Sequence, residues 1–201
     1  MENDVTNLPD ANETKLKIFM VAARLIAEKG YNGVSMREIS EHSAVSKPTI
    51  YYYFGSKEGI YKALLRAGLE HSSQLLNEVK SQKISVKQKL IILIQNYFKQ
   101  CQLHPEFMKF YFSLSNRLEE LPFLEEFQKI ADENRETVIQ VIQEGIDSGE
   151  FGRSATAEFA AEIIAGVLGH FLWKQSSFSE NILSDKLAED TIEFLFKGLN
   201  E

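Results

Sequence analysis

The sequence predicts an all-α protein of about nine helices, and three features of its 201 residues carry that expectation. Apolar residues recur at three- and four-residue spacing along most of the chain, with no stretch of strict alternation to mark a strand. Caps and breakers, among them Ser35, Gly55, Ser56, Pro105, Pro122 and Gly149, fall between those runs. The length suits one large or two small domains, and hydrophobic residues make up 44% of the chain, enough for a core.

Residues 1 to 12 hold several acids, Asn residues and Pro9 with little apolar content, and read as a disordered tail. The first helix carries Ile18, Ala22, Leu25 and Ile26 on one side and stops at Lys29-Gly30. A capping box opens the second: the Ser35 hydroxyl can accept from the Glu38 amide while Glu38 reaches back to the Ser35 amide. Met36 and Ile39 give this helix its apolar side, and Ser43-Ala44-Val45 ends it. Ser46 or Lys47 caps a third helix with Pro48 in its first turn, and Gly55 closes it. About eight residues make roughly 12 Å of rod, close to the width of a major groove.

At about 100° per residue, Ile50 and Phe54 of this third helix share one face. With those two turned inward, Tyr52 lies nearly opposite, Pro48 and Thr49 lie to the outer side, and Tyr51 and Tyr53 project along the flanks. Three consecutive tyrosines cannot all be core. Aromatic bodies with hydroxyl tips suit thymine methyls and phosphate oxygens, although Tyr51 and Tyr53 equally suit a wedge against neighbouring helices.

These residues carry a family resemblance. AARLIAEKGY (Ala22 to Tyr31), SMREIS (Ser35 to Ser40) and VSKPTIYYYFGSKEGIY (Val45 to Tyr61) resemble the N-terminal domain of the tetracycline-repressor (TetR) family of bacterial transcription regulators. The motif match spans about Thr14 to Leu65, roughly a quarter of the chain. It implies that Ser35, Met36 and Arg37 begin a helix crossing the DNA backbone. It also implies that Lys47, Pro48, Thr49 and Tyr52 enter the major groove while Tyr51, Tyr53 and Lys57 grip phosphates or groove walls. Two positions depart from the family pattern: Ala44 replaces the usual turn Gly, at about 1 kcal/mol if φ is positive there, and Pro48 replaces a common Gly.

The net charge of −7 suits a DNA binder only once it is divided. Thr14 to Lys57 holds seven basic residues against three acids, so the basic charge sits on the motif. A single Cys excludes an intramolecular disulfide, and there is neither a signal peptide nor an apolar run long enough to span a bilayer. A cytoplasmic protein with no membrane partner is expected.

Beyond the head, Ser56 caps a long helix to about Lys80, with Ile60, Leu64, Leu75 and Leu76 as inward positions, and this helix must link the head to the rest. Further helices are expected at about 85 to 103, 106 to 118, 123 to 147, 155 to 176 and 183 to 199. The domains read as a DNA-binding head at 13 to 60 and a ligand-binding and dimerisation domain at 61 to 201.

The stretch Ala157 to Trp173 is apolar nearly all round, with small residues at Ala160, Ala161, Gly166 and Gly169. Together with Leu183, Leu187, Phe194 and Leu195 it offers a seam for a second copy, and a four-helix bundle between two chains is also what the resemblance implies. The expected interface is Ala161, Gly166, Gly169, Trp173, Leu187, Phe194 and Leu195.

Eight aromatics fall within the thirty-one residues from Tyr97 to Phe127. Any one ring suits an ordinary core, but Phe107, Phe110, Tyr111 and Leu114 share a helical face, so several rings can converge between helices. The resemblance implies that the cluster as a whole lines a cavity for a hydrophobic effector, because ligand-responsive members of the family bind effectors among the equivalent helices. Tyr97, Phe98, Cys101, Phe123, Phe127 and Trp173 complete the expected lining.

Catalysis finds little support. His42, His71, His104 and His170 are scattered without metal-ligand spacing, no Gly-rich phosphate loop follows a strand, and Cys101 has no base nearby in sequence. No cofactor or metal is expected. A purely protein-binding scaffold would leave the hydroxyl-rich face from Thr49 to Tyr53 without a reason. The reading is therefore a homodimeric, ligand-responsive repressor of a palindromic double-stranded operator, released by a hydrophobic small molecule.

Overall fold

The computed structural model of the protein describes residues 11–116, 124–151, 155–178 and 181–200. Among them are nine helices: α1 (Ala11–Lys29), α2 (Met36–Ser43), α3 (Lys47–Phe54), α4 (Lys57–Ser81), α5 (Val86–Leu103), α6 (Pro105–Asn116), α7 (Glu125–Ser148), α8 (Ala157–Phe178) and α9 (Asp185–Asn200). The all-α expectation holds, and α1 begins at Ala11; the rest of the expected tail, residues 1–10, lies outside the described residues.

Local chemistry sets the ends of the elements. The capping box of α2 forms as expected, Ser46 rather than Lys47 caps α3, and Gly55 closes α3 at φ 70°. Ala44, ending α2, takes φ 54° and ψ 27°. An L-residue there costs roughly 1–2 kcal/mol. Glu150 reaches across sequence to accept from the Val86 amide at 2.8 Å, supplying one of the orphan donors that open α5.

Two apolar cores result. The first gathers Ile18, Ala22, Leu25 and Ile26 of α1 with Ile39, Ile50, Ile60 and Leu64. It does not stop at residue 60, because α4 continues through it, and Phe110 of α6 and Phe127 of α7 are buried in it. The expected domain boundary therefore falls inside one helix and one shared core. The second core surrounds α5 and takes Leu76 and Val79 from the far end of α4, Ile142 from α7, Ile164 from α8 and Ile192 from α9. With 25 residues, α4 is about 37 Å long and belongs to both cores. α1 packs most extensively on α6, and α4 on α7. Helices from the C-terminal part thus lie directly against the head.

Candidate nucleic-acid interface and ligand cavity

α2 and α3 form a helix-turn-helix whose inner side is fixed by burial of Ile39 and Ile50. Phe54, one turn beyond Ile50, stacks on Phe19 of α1 with ring centroids 5.1 Å apart. The opposite side of α3 is open. Tyr52 is 84% exposed and Tyr51 49%, while Lys47 and Pro48 also face solvent. Thr49 is half-buried and its hydroxyl lies 2.7 Å from that of Ser46, so it sits in the cap network as well as on the outer side.

Three of the expected DNA-contacting residues have other work within the head. Tyr53 is half-buried against the first core, with Lys15 5.4 Å from its ring centre. Met36 also packs against that core. Lys57 departs furthest from expectation: its ammonium donates to the carbonyls of Tyr31 at 2.7 Å and Val34 at 2.9 Å, 4.3 Å from the Tyr31 ring centre. These contacts clip α4 to the connection between α1 and α2, and they give the ammonium expected to grip a phosphate two acceptors within the head. Ser35 and Arg37 are exposed at the start of α2, with the Arg37 guanidinium on Glu41 at 2.7 Å.

An apolar cavity of about 480 Å³ opens between the two cores. α1 contributes Phe19, α4 contributes Leu64, Ala67, Gly68, Leu69, His71 and Ser72, α5 contributes Tyr97 and Gln100, and His104 follows as the cap of α5. Phe107, Met108 and Tyr111 of α6 and Leu172 of α8 complete the wall. Its polar edges are largely internal. The Tyr97 and Ser72 hydroxyls are hydrogen-bonded at 2.5 Å, and the Tyr111 hydroxyl donates to the Leu64 carbonyl at 2.8 Å. Burial raises both phenols, pushing Tyr111 up to about 12. A second, shallow depression along the solvent side of α7, lined by residues such as Glu125, Asp132 and Glu136, is open and charged. It lacks the enclosure of a ligand site.

Of the expected cavity residues, Tyr97, Phe107 and Tyr111 meet there. Phe98 and Cys101 turn instead into the second core, Cys101 with its sulfur 3.6 Å from the Ser176 hydroxyl. Phe110 and Phe127 turn into the first core, and Trp173 lies on the surface, 5.2 Å from the Phe178 ring centre. Phe123 and the Leu114 side chain lie outside the described residues. The sequence reading missed Phe19, His71, Ser72, Gln100, His104 and Met108. A search for clustered aromatics passes over polar and α1 positions; the small pair Ala67-Gly68 in the middle of α4 was the available signal.

The expected interface divides in a similar way. Ala161 is buried within its own chain, and Leu187 and Leu195 pack on the second core. Phe159, Ile163 and Trp173 of α8 and Phe194 of α9 are exposed, Phe194 by 77%. A side chain at Gly166 or Gly169 would meet nothing within 4 Å.

Fold and surface together define a helix-turn-helix DNA-binding protein with an apolar cavity behind its head. Residues 18–64 match the family model of the bacterial regulatory proteins of the tetR family, so the head is that of a tetR-type transcription regulator. A fatty acid metabolism regulator protein of Bacillus subtilis is 23% identical over 187 residues, covering 92% of this chain and 95% of the relative. The FadR regulator of Bacillus subtilis, crystallised with stearoyl-CoA, shares the fold with TM-score 0.71 at 23% identity, over 91% of this chain and 98% of that one. The ketosteroid regulator KstR2 of Mycobacterium tuberculosis gives TM-score 0.79 at 17% identity, over 96% and 97%. No helix among the described residues is long and apolar enough to cross a membrane.

Proposed function

We propose that this regulator is a cytoplasmic repressor that holds a palindromic operator as a homodimer and leaves it when a hydrophobic molecule, best matched by a long acyl chain, fills the cavity. One observation carries the reading. Phe19 both walls the cavity and stacks on Phe54 of α3, so an occupant touches a side chain one contact away from the DNA-facing helix. The cavity volume lies within the range of small-molecule sites, and among the described residues its wall carries no Lys, Arg, Asp or Glu. The stearoyl-CoA held by FadR supports an acyl chain as the apolar part.

An occupant changes operator affinity only if it binds one placement of α4 and the heads better than another. A coupling of about 1–3 kcal/mol changes affinity about 5- to 150-fold. The test begins by selecting an operator from random DNA with the delipidated protein, then titrates it with and without stearoyl-CoA, palmitate or a ketosteroid. Weaker operator binding with an acyl ligand is expected. Calorimetric binding of these ligands with unchanged operator affinity would overturn the sensing reading.

A further inference from the structure

The middle of α4 is its least supported part. The helix buries Ile60, Tyr61, Leu64 and Leu65 at the head end and Leu76 and Val79 at the other, with no fully buried residue between. In that interval Gly68 interrupts the helix, where glycine costs about 1 kcal/mol relative to alanine. The reason is steric: a Cβ on Gly68 would lie 1.9 Å from the Tyr111 hydroxyl oxygen and 2.3 Å from the ring carbon bearing it. The ring of Tyr111 therefore rests against bare helix backbone.

Its hydroxyl donates to the Leu64 carbonyl, the acceptor that the Gly68 amide uses in an α-helix. A side chain inserted at a rung of that ladder is a recognised cause of helix bending. Apart from Leu69 and Leu75, half-buried against the first and second cores, the other supports of this interval are polar. Asn134 of α7 donates to the Leu69 carbonyl at 3.2 Å and accepts from Ser73 at 2.6 Å, and Tyr97 meets Ser72. Such contacts re-form after a small shift more readily than a buried apolar layer repacks. Tyr111 also walls the cavity, and its neighbour Phe110 is buried in the head core against Tyr61, with ring centres 5.1 Å apart.

We propose that Tyr111 seated on Gly68 is the contact through which cavity occupancy sets the bend of α4, and with it the aim of the head. The proposal rests on the cavity being the effector site, and it assigns the regulation of that site to one pair of residues. An occupant that moves the Tyr111 ring removes its hydroxyl from the Leu64–Gly68 rung. The two anchored ends of α4 then change their relative direction while each keeps its own core. With its phenol pushed up to about 12, Tyr111 stays protonated at any physiological pH, so the donor is always present.

The deciding measurement needs no ligand. Gly68→Ala forces the ring off the helix, and operator affinity of the ligand-free protein should change by about tenfold or more, within the range of allosteric couplings. Adding Tyr111→Ala to Gly68→Ala removes the clash and should bring affinity to within about threefold of Tyr111→Ala alone, as residues acting through one contact are non-additive. A folded Gly68→Ala protein with wild-type operator affinity overturns the proposal. If Gly68→Ala does not fold, amide exchange of Tyr111→Phe decides: faster exchange across residues 64–72 is expected, and unchanged exchange overturns it. A final arm measures operator affinity at saturating stearoyl-CoA, where the wild-type response should collapse in Tyr111→Phe; a full response there also overturns the contact. Should stearoyl-CoA leave the wild type unaffected, the acyl-effector reading fails, and the ligand-free comparison still decides the role of Tyr111.

Discussion

Tyr52 and Lys57 stand five positions apart, and their side chains are used in opposite ways. Tyr52 projects into solvent with nothing to gain there, whereas the Lys57 ammonium is held by two backbone carbonyls. Tyr52→Ala should leave the melting temperature unchanged, cost about 1–3 kcal/mol on the selected operator and flatten its preference over random DNA. Equal losses on both DNAs would show that Tyr52 reads no bases. Lys57→Ala should do the reverse. Leaving two carbonyls without their charged donor should lower unfolding stability by about 1–3 kcal/mol, while the salt dependence of DNA binding stays as in the wild type. A salt slope reduced by about one unit would instead restore Lys57 as a phosphate contact. The angular argument placed Tyr52 correctly because it needed only helix geometry. The role expected of Lys57 came from the resemblance instead, and nothing in sequence tells that carbonyls from another loop will reach a lysine at a helix start.

At the level of the element, α2 shows how much a cap can do. Its Glu38 carboxylate accepts from Lys29 at 2.7 Å and from the amide and hydroxyl of Ser35, each at 3.0 Å. The Lys29 bond, followed by those from Ser35, holds it down to about 2 from an ordinary 4.5. The folded value lies below the unfolded one, so the stabilisation is complete above about 4.5 and is lost as pH falls towards 2. Thermal melts from pH 6 to pH 2.5 should therefore fall less steeply in Glu38→Gln than in the wild type, with the variant less stable at neutral pH; parallel curves would remove Glu38 from the account of acid sensitivity. Elements of this kind were legible from Ser35 and Glu38 alone, as were the stops at Gly30, Gly55 and Gly149. The sharing of faces was not. Phe107 and Tyr111, four residues apart, meet at the cavity, while Phe110 between them enters the head core. Periodicity reports that a helix has a wide apolar side, but not which of two neighbours each part of that side will meet. The same limit placed Phe98 and Cys101 at the cavity when α5 had a second core to supply.

At the scale of the whole molecule, α8 carries apolar surface that its own chain leaves exposed. Its positions 159, 163, 166, 170 and 173 follow helical spacing and form one outward stripe, in which Phe159 is 58% exposed and Trp173 40%. Phe194 adds to this apolar surface from α9, while Gly166 leaves space for close approach by another helix. Ala160, Ala161 and Ile164 already serve the chain's own core, so the stripe is surplus to folding and suits a two-fold contact with a second copy. Sequence alone recognised the excess of apolar surface but assigned Ala161, Leu187 and Leu195 to the outside. Total hydrophobicity shows that a helix has apolar surface to spare, and only packing shows which residues its own chain takes. Ile163→Glu should therefore leave helicity and melting of the single chain nearly intact, because position 163 is already exposed, and yield monomers in micromolar sedimentation. Two half-sites about one turn apart, roughly 34 Å, would then be bound independently. Loss of tethering should weaken binding to the full operator by roughly 10²- to 10⁴-fold and leave the affinity for an isolated half-site unchanged. A dimer that survives both Ile163→Glu and Phe194→Glu would move the interface to another face. A monomer that still binds the full operator like the wild type would remove the dimer from the mechanism of recognition.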